Sequence, residues 1–500
     1  MPQKMVDYIK DHIELFVSVA CAFLILLFTT KSSFFYMCNN WDDVNSYFSM
    51  GKGMMNGMVI YRDLYDQKGP YLYLLYGIAY LISHKTFLGV FIFEVIAAAI
   101  FLFYGFKTIA ARSNKALAAF LTPVLAAGVY SSWSFYKGGA AEEFCLPMIA
   151  YSLYTLDNIL QERLDEAGVK RAFAIVGIFA GITAQIKYTM LGFYFGWFVI
   201  SVIYCYTKAG AIDAIKKAIR FILFACIPSI PWLIYFLATG SLDDWYRCYI
   251  YNNLFFYSNI TADSISLYEK IYKLAKLQYW LILDNFEYFV WIIACFILAL
   301  ILEIKAAKKI AYLFMYASTF FVIFYGGGTL PYYSIPLMVF ALPGAAYVAD
   351  IFQKAYIKYN KKVLWCNTAV LVIALSTVFA KYNCLSADYL LQSRQDHWLT
   401  RMASHIEEAP DTTLLNVGCL DVGLYTITGI VPTCEYFQTN GIALPTMFDE
   451  QSRYIKEGLT EYVIAGEREP DGIYEKYELI DSVSFYDNSY DQVYYLYKLK

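Results

Sequence analysis

Charge is scarce in this sequence. Only 16% of its 500 residues are Asp, Glu, Lys or Arg and 59% are hydrophobic, whereas soluble domains carry roughly 25% charged residues. Much of the chain therefore has a solvent other than water. The net charge of −3 supplies no basic surface for a polyanion, which excludes nucleic acid as a partner. Histidine is limited to His12, His84, His397 and His405. No HExxH pair, P-loop, dinucleotide glycine fingerprint or nucleophile elbow occurs, so the enzyme classes built on those motifs are excluded. The eleven cysteines lack metal-ligand spacing. Cys21, Cys145, Cys205, Cys226, Cys295 and Cys366 fall in apolar runs and read as small hydrophobes. Cys38, Cys248, Cys384, Cys419 and Cys434 are expected on the outward side, where a Cys419–Cys434 disulfide is one pairing the sequence leaves open. No cleavable signal peptide is expected at the N-terminus. The apolar stretch 13–35 is long for one and no small-residue cleavage site follows, so it reads as a retained helix.

What the sequence has in abundance is apolar runs. A bilayer core of roughly 30 Å needs about 20 apolar residues per helix. Such runs lie at 13–35, 87–106, 116–135, 144–160, 172–185, 190–206, 219–237, 281–302, 310–325, 335–351 and 363–379. About eleven transmembrane helices are expected. The loops between them test that count. Cations gather in the second loop (Lys107, Arg112, Lys115), the fourth (Arg163, Lys170, Arg171) and the sixth (Lys208, Lys216, Lys217, Arg220). The eighth (Lys305, Lys308, Lys309) and the tenth (Lys354, Lys358, Lys361, Lys362) continue the pattern. Short basic loops at every even position mark the cytoplasmic side. The N-terminus is then expected in the cytoplasm of a multi-pass plasma-membrane protein, with everything after Phe379 outside.

Two outward loops are long: 36–85, rich in Asp, Tyr and Gly, and 239–280, polar and aromatic. The first contains an amphipathic stretch at 71–82, suited to the membrane surface. The tail from about Asn383 reads as a small soluble α/β module. Its β-rich runs are 413–417, 462–465, 482–486 and 493–498, and helical segments are expected at 398–408 and 449–457. The expected architecture is an all-α polytopic bundle, 1–382, with a small extracytoplasmic α/β domain, 383–500.

Chemistry concentrates in the first loop. Trp41-Asp42-Asp43 precedes Gly51-Lys52-Gly53, and then comes Tyr61-Arg62-Asp63-Leu64-Tyr65-Asp66-Gln67-Lys68-Gly69-Pro70. A carboxylate at the mouth of an apolar bundle can take a proton from an acceptor hydroxyl, and Arg or Lys beside it can offset a phosphate leaving group. A solvated loop whose charges avoid lipid explains the same composition. A second acidic pair, Glu142-Glu143, opens the fourth helix. The helix dipole favours acids there, yet carboxylates meeting lipid are costly unless used. Lys187 interrupts an apolar stretch, as a snorkelling side chain or as a contact to a lipid-borne phosphate. The run Gly326-Gly327-Gly328-Thr329-Leu330-Pro331-Tyr332-Tyr333 forms an outward turn whose backbone amides could approach a phosphate, or which simply separates two helices.

These residues, in this order, resemble the polyprenyl-phosphate-sugar-dependent membrane glycosyltransferases of the GT-C fold. That group includes protein O-mannosyltransferases, aminoarabinose transferases of lipid A and bacterial cell-surface polymer transferases. The resemblance rests on Asp43 eight residues before Gly51-Lys52, on the Tyr61 to Pro70 stretch, and on the Glu142-Glu143-Phe144, Ile186-Lys187 and Pro331-Tyr332-Tyr333 positions. It covers about residues 1–380. Gln67 stands where relatives often carry His, and glutamine is neither an acid–base group nor a good metal ligand.

The resemblance implies a hexosyl- or pentosyl-transferring enzyme with a lipid-linked sugar donor and a glycan, lipid or protein acceptor. Nucleotide sugars are cytoplasmic and the implied site faces outward, which is why the donor should ride on a membrane lipid phosphate. It implies Asp43 as base. Asp42, Asp63, Asp66, Glu142 and Glu143 are implied as carboxylates that orient the acceptor or hold a divalent cation, and Arg62, Lys68 and Lys187 as the donor-phosphate cations. Two other classes share the helix-rich composition: a lipid-linked sugar flippase or transporter, and a non-catalytic cell-envelope assembly protein. The absence of a repeat and the outward clustering of carboxylates disfavour the transporter.

Overall fold

The computed structural model describes residues 8, 11–257, 266–286, 288–326, 330–355, 361–384, 386–390, 392–393, 397–407, 409–442, 444–487 and 490–500. Lys358, part of the 239–280 loop (258–265), Gly327 to Thr329 of the glycine turn and Glu408 fall outside the described residues. By contact the chain divides into two compact units. One comprises Met1–Thr30, Phe91–Ile230 and Ser264–Asp388, and the other Lys31–Val90, Pro231–Asp263 and Tyr389–Lys500.

Among the described residues, six helices are long and apolar enough to cross a membrane: Leu88–Ala110, Glu166–Ala184, Tyr188–Ala209, Ala211–Ala238, Ala306–Phe324 and Pro331–Lys354. Shorter apolar helices include Ile13–Thr29, Lys115–Tyr130 and Cys366–Phe379. The first helix stops at Thr29, short of the expected 35. Lys31, Ser32 and Ser33 follow it, and such residues bond locally rather than extend an apolar helix. A helix also forms at Leu267–Asp284, where loop was expected, and its start was written in the sequence. Ser266 and Glu269 make a reciprocal capping box.

Within the first unit, small residues let helices approach to backbone contact, as membrane helices without a hydrophobic drive between them require. A Cβ on Gly177 would lie 2.5 Å from the Phe221 carbonyl, and one on Gly181 2.2 Å from that of Ala225. Gly192 and Gly196 seat their helix on Met315 and Ser318 in the same way. Two cations of the basic loops are not simply solvated. Lys308 is buried and pairs with Asp157 and Glu303, while Arg112 reaches Glu303 at 3.2 Å. Tyr312 and Tyr347 donate to those two carboxylates at 2.6 Å each. Cations of the basic loops thus tie helices together.

The second unit contains a four-stranded sheet in the order β1-β2-β4-β3. β1 (Leu414–Val417) runs parallel to β2 (Tyr462–Gly466), and β4 (Tyr490–Leu499) pairs antiparallel with β2 and with β3 (Tyr477–Asp487). The parallel step needs a crossover, supplied by the Pro445–Glu457 helix, which ends on Gly458 in the left-handed conformation. Ile455 from that helix packs with Val463, Ala465, Tyr477 and Tyr497 in the core beneath the sheet.

The loop 31–90 belongs to this same unit. Its helices Asp42–Met55 and Pro70–Ile82 touch at Gly51, where a Cβ would sit 2.4 Å from the Gly77 nitrogen. The Asp42–Met55 helix is then fastened to the tail by buried polar contacts. Lys52 donates to the Tyr425 and Ile430 carbonyls, Ser49 to Asp421 at 2.6 Å, and Thr426 to Asn45 at 2.9 Å. Burial pulls the Lys52 ammonium down to about 7 against the opposing pull of Asp421.

Candidate functional site

Asp42 and Asp43 form the first turn of the Asp42–Met55 helix, where the dipole favours acids. They serve different surroundings. Asp42 accepts the Asp43 N–H at 3.0 Å, and its charge is felt by Cys419 of the tail. Asp43, half-buried, is felt by Asp66. Asp66 is buried, accepting from the Tyr73 hydroxyl at 2.8 Å and from the Asn440 amide at 2.9 Å. Burial pushes its carboxyl up; the Lys68 ammonium opposes that shift and Asp43 adds to it. The charges of Lys68 and Asp43 thus both act on the Asp66 carboxyl.

Lys68 is held in place through its backbone. The Tyr61 hydroxyl donates to its carbonyl at 2.6 Å, and its N–H donates to the Tyr73 hydroxyl at 2.8 Å. Its ammonium lies 5.8 Å from the Tyr47 ring, one helical turn beyond Asp43. Tyr61 adopts φ 71°, a left-handed conformation that a bulky residue enters only when its surroundings compel it. Its ring is locked against Tyr73 and Phe236. Backbone strain of this kind marks a segment whose placement matters. Asp66→Ala should leave the Tyr73 hydroxyl and Asn440 amide without a buried acceptor. We expect a loss of about 2–3 kcal/mol in the unfolding free energy of the protein, whereas Asp66→Asn should cost less.

Arg62 and Asp63 are engaged with each other. The guanidinium forks onto the carboxylate at 2.7 and 3.0 Å and also donates to the Thr239 carbonyl at 3.0 Å. Asp63 further accepts the Val59 N–H at 2.7 Å, closing the turn. The Arg62 hydrogen bond holds the Asp63 carboxyl below its ordinary range. The Gln67 backbone carbonyl accepts from Asn253 at 2.8 Å, and its side-chain oxygen meets no donor among the described residues.

In the first unit, Glu142 and Glu143 open the Ala141–Leu160 helix and are both buried. Glu142 forms an ion pair with Lys187, whose ammonium also lies 3.8 Å from the centre of the Tyr333 ring and 5.5 Å from that of Tyr332. Glu143 accepts the Gly139 N–H at 2.9 Å. Beside it stands a residue the sequence reading passed over. Glu94 lies within the apolar helix Leu88–Ala110 and is fully buried. One carboxylate in an apolar run was the available signal, since ionisable groups at membrane depth are rarely idle. Asn440 and Tyr73 were missed for another reason: nothing local marks them as partners of Asp66.

Among the described residues no three His, Cys, Asp or Glu side chains converge as they would around a metal ion. The Cys419–Cys434 disulfide is not formed, since both thiols are free.

His397 caps the Trp398–Ala403 helix. Its Nδ1 accepts the Leu399 N–H at 3.2 Å, so its proton sits on Nε2, 3.7 Å from the Cys38 sulfur. Burial holds its pKa down to about 4 from the ordinary 6.5. Because the folded value is depressed, its contribution is whole above pH 6.5 and is lost as pH falls through 4. We expect acidification across that window to cost about 2 kcal/mol, allowing for the partly solvated ring. His397→Asn, which can still cap, should flatten the melting temperature against pH over the same range.

No protein-family model and no curated protein matches this sequence. The structure does find counterparts. The chain has the fold of the GT-C membrane glycosyltransferases. ArnT from Cupriavidus metallidurans, in its crystal structure bound to undecaprenyl phosphate, aligns over 97% of this chain and 98% of its own at a TM-score of 0.62 and 12% identity. The apo state of ArnT aligns over the same shares at 0.63 and 10%. Likeness at that identity establishes the fold and leaves residue roles to be argued from the side chains.

Proposed function

We propose that this chain is a membrane glycosyltransferase. It moves a sugar from a polyprenyl-phosphate carrier to a hydroxyl of a cell-surface glycan, lipid or protein. The observation that carries this reading is the end-to-end fold likeness to ArnT, a protein whose structure holds undecaprenyl phosphate. The grouping of Asp43, Asp66 and Lys68 supports it.

In this reading a carboxylate oxygen of Asp43 takes the proton of the acceptor hydroxyl as that oxygen attacks the anomeric carbon. The bond from that carbon to the phosphate oxygen breaks, the configuration inverts, and polyprenyl phosphate leaves. Lys68 offsets the charge on the departing phosphate. The Arg62 guanidinium is shared between Asp63 and Thr239. Glu142 and Lys187 enter the proposal as a second charged group, Asp42 and Glu143 as supporting carboxylates. About eleven spans, a cytoplasmic N-terminus and an extracytoplasmic 383–500 segment complete it.

Lys68→Ala tests the phosphate assignment. A charge-assisted contact is worth about 1.5–3 kcal/mol, so the donor KM should rise roughly ten- to a hundredfold. The Tyr61 and Tyr73 bonds to the residue 68 backbone remain in that variant. An unchanged donor KM would remove Lys68 from the site.

A further inference from the structure

Tyr73 joins Lys68 to Asp66. Its hydroxyl has one hydrogen, which goes to Asp66 Oδ2 at 2.8 Å, and its oxygen accepts the Lys68 N–H at 2.8 Å. The other Asp66 oxygen takes the Asn440 amide at 2.9 Å. A carboxylate only accepts, so the Asn440 nitrogen faces Asp66, and the Asn440 oxygen is left to accept the Ile442 N–H at 3.4 Å. Asp66, Tyr73 and Asn440 are all buried, and all four residues lie in the second unit. A continuous line of hydrogen bonds therefore runs from the tail to the backbone of Lys68.

Asn440 is itself held. The segment 435–440 runs beside β1, the edge of the tail sheet. The Asn416 N–H donates to the Phe437 carbonyl at 3.0 Å, the Thr439 N–H to the Cys419 carbonyl at 2.8 Å, and the Gly418 N–H to the Thr439 hydroxyl at 2.7 Å. Gln451, on the Pro445–Glu457 helix, donates to the Tyr436 carbonyl at 2.9 Å and accepts from the Thr439 hydroxyl at 2.8 Å. The same segment meets the first loop at two more points. The Tyr65 N–H donates to the Glu435 carbonyl at 2.8 Å, and the Ser46 hydroxyl to Gln438 Oε1 at 2.5 Å. Ser46 stands three residues beyond Asp43 on the Asp42–Met55 helix.

We propose that the tail segment 435–440 is part of the transfer site, with Asn440 as a positioning residue that holds Lys68 in place through Asp66 and Tyr73. A lysine ammonium is a point charge on a flexible stem, so the backbone beneath it decides what it can reach. Small displacements of such a group weaken its hold on a reacting partner. The inference rests on the reading of Lys68 as the donor-phosphate cation; the relay to its backbone is a separate observable.

The test uses purified full-length protein in lipid, with undecaprenyl phosphate as the probe. Asn440→Ala should weaken binding of that lipid roughly three- to tenfold, the scale of one buried hydrogen bond. In a Lys68→Ala background the same substitution should add less than about twofold, because it acts through Lys68. Hydrogen exchange reads the relay without any ligand: the Lys68 amide should exchange roughly three- to tenfold faster in Asn440→Ala. Thr426→Val cuts a different contact between tail and first loop, the bond to Asn45, and should leave both readouts within about twofold of wild type. Equal effects from Thr426→Val, or full additive loss in the Lys68→Ala background, would overturn the positioning role. Unchanged exchange at Lys68 in Asn440→Ala would overturn the relay. Wild-type binding of undecaprenyl phosphate by Lys68→Ala would instead overturn the phosphate reading, with the exchange rates still deciding whether Asn440 holds Lys68.

Discussion

Asp43→Asn is expected to lower sugar transfer by about 10²–10⁴-fold, the usual contribution of a positioned general base. The substitution keeps the shape of the side chain and its ability to accept hydrogen bonds. It removes the negative charge from a helix first turn, which costs about 0.3–1 kcal/mol, so folding and membrane insertion should persist. Asp42→Asn is the internal control. Asp42 stands beside Asp43 and its charge is felt by Cys419, and its loss should change transfer less than about tenfold if it only supports the helix start. Turnover of a lipid-linked sugar by purified protein in lipid measures both. Wild-type turnover by Asp43→Asn would rule out the base.

The second large effect concerns stability. Glu142 is almost fully buried and Lys187 retains only 11% of its side-chain exposure. Removing one partner of such a pair strands the other, at a cost of about 3–5 kcal/mol. Glu142→Ala and Lys187→Met should therefore each lower the thermal unfolding midpoint sharply. Lys187 would keep its place against the Tyr333 ring, but ring contact is worth about 2 kcal/mol at most and does not replace a carboxylate. The double variant should recover at least about 1 kcal/mol relative to the sum of the singles, since the two groups form one interaction. Strict additivity would show that the pair contributes nothing as a pair.

Where the sequence proved legible, the signal was local. The tail strands expected at 413–417 and 462–465 appear as Leu414–Val417 and Tyr462–Gly466, because a short apolar run between polar and turn residues is a local pattern. The amphipathic stretch 71–82 is the Pro70–Ile82 helix, opened by a proline at its first position. What escaped was long-range. Nothing near Lys52 announces that its ammonium ends on the carbonyls of Tyr425 and Ile430, some 370 residues away along the chain, and so nothing announces that loop and tail are one unit.

Two other features were obscured by reasonable local readings. Glu94 disappears when Leu88–Ala110 is averaged as an apolar window. Arg112 and Lys308 were read as cations of basic loops, and both meet buried Glu303. In the candidate site, residue types pointed to Asp43, Asp66 and Lys68, whereas the tyrosines that pin Lys68 are indistinguishable in sequence from the 48 tyrosines of the chain.

The most direct test of sugar transfer is the composition of cell-surface glycans in cells that have, lack, or carry an Asp43→Asn form of this protein. Loss of a sugar constituent on deletion, restored by the wild type and not by Asp43→Asn, is the predicted result. An unchanged composition on deletion, or full restoration by Asp43→Asn, would contradict it.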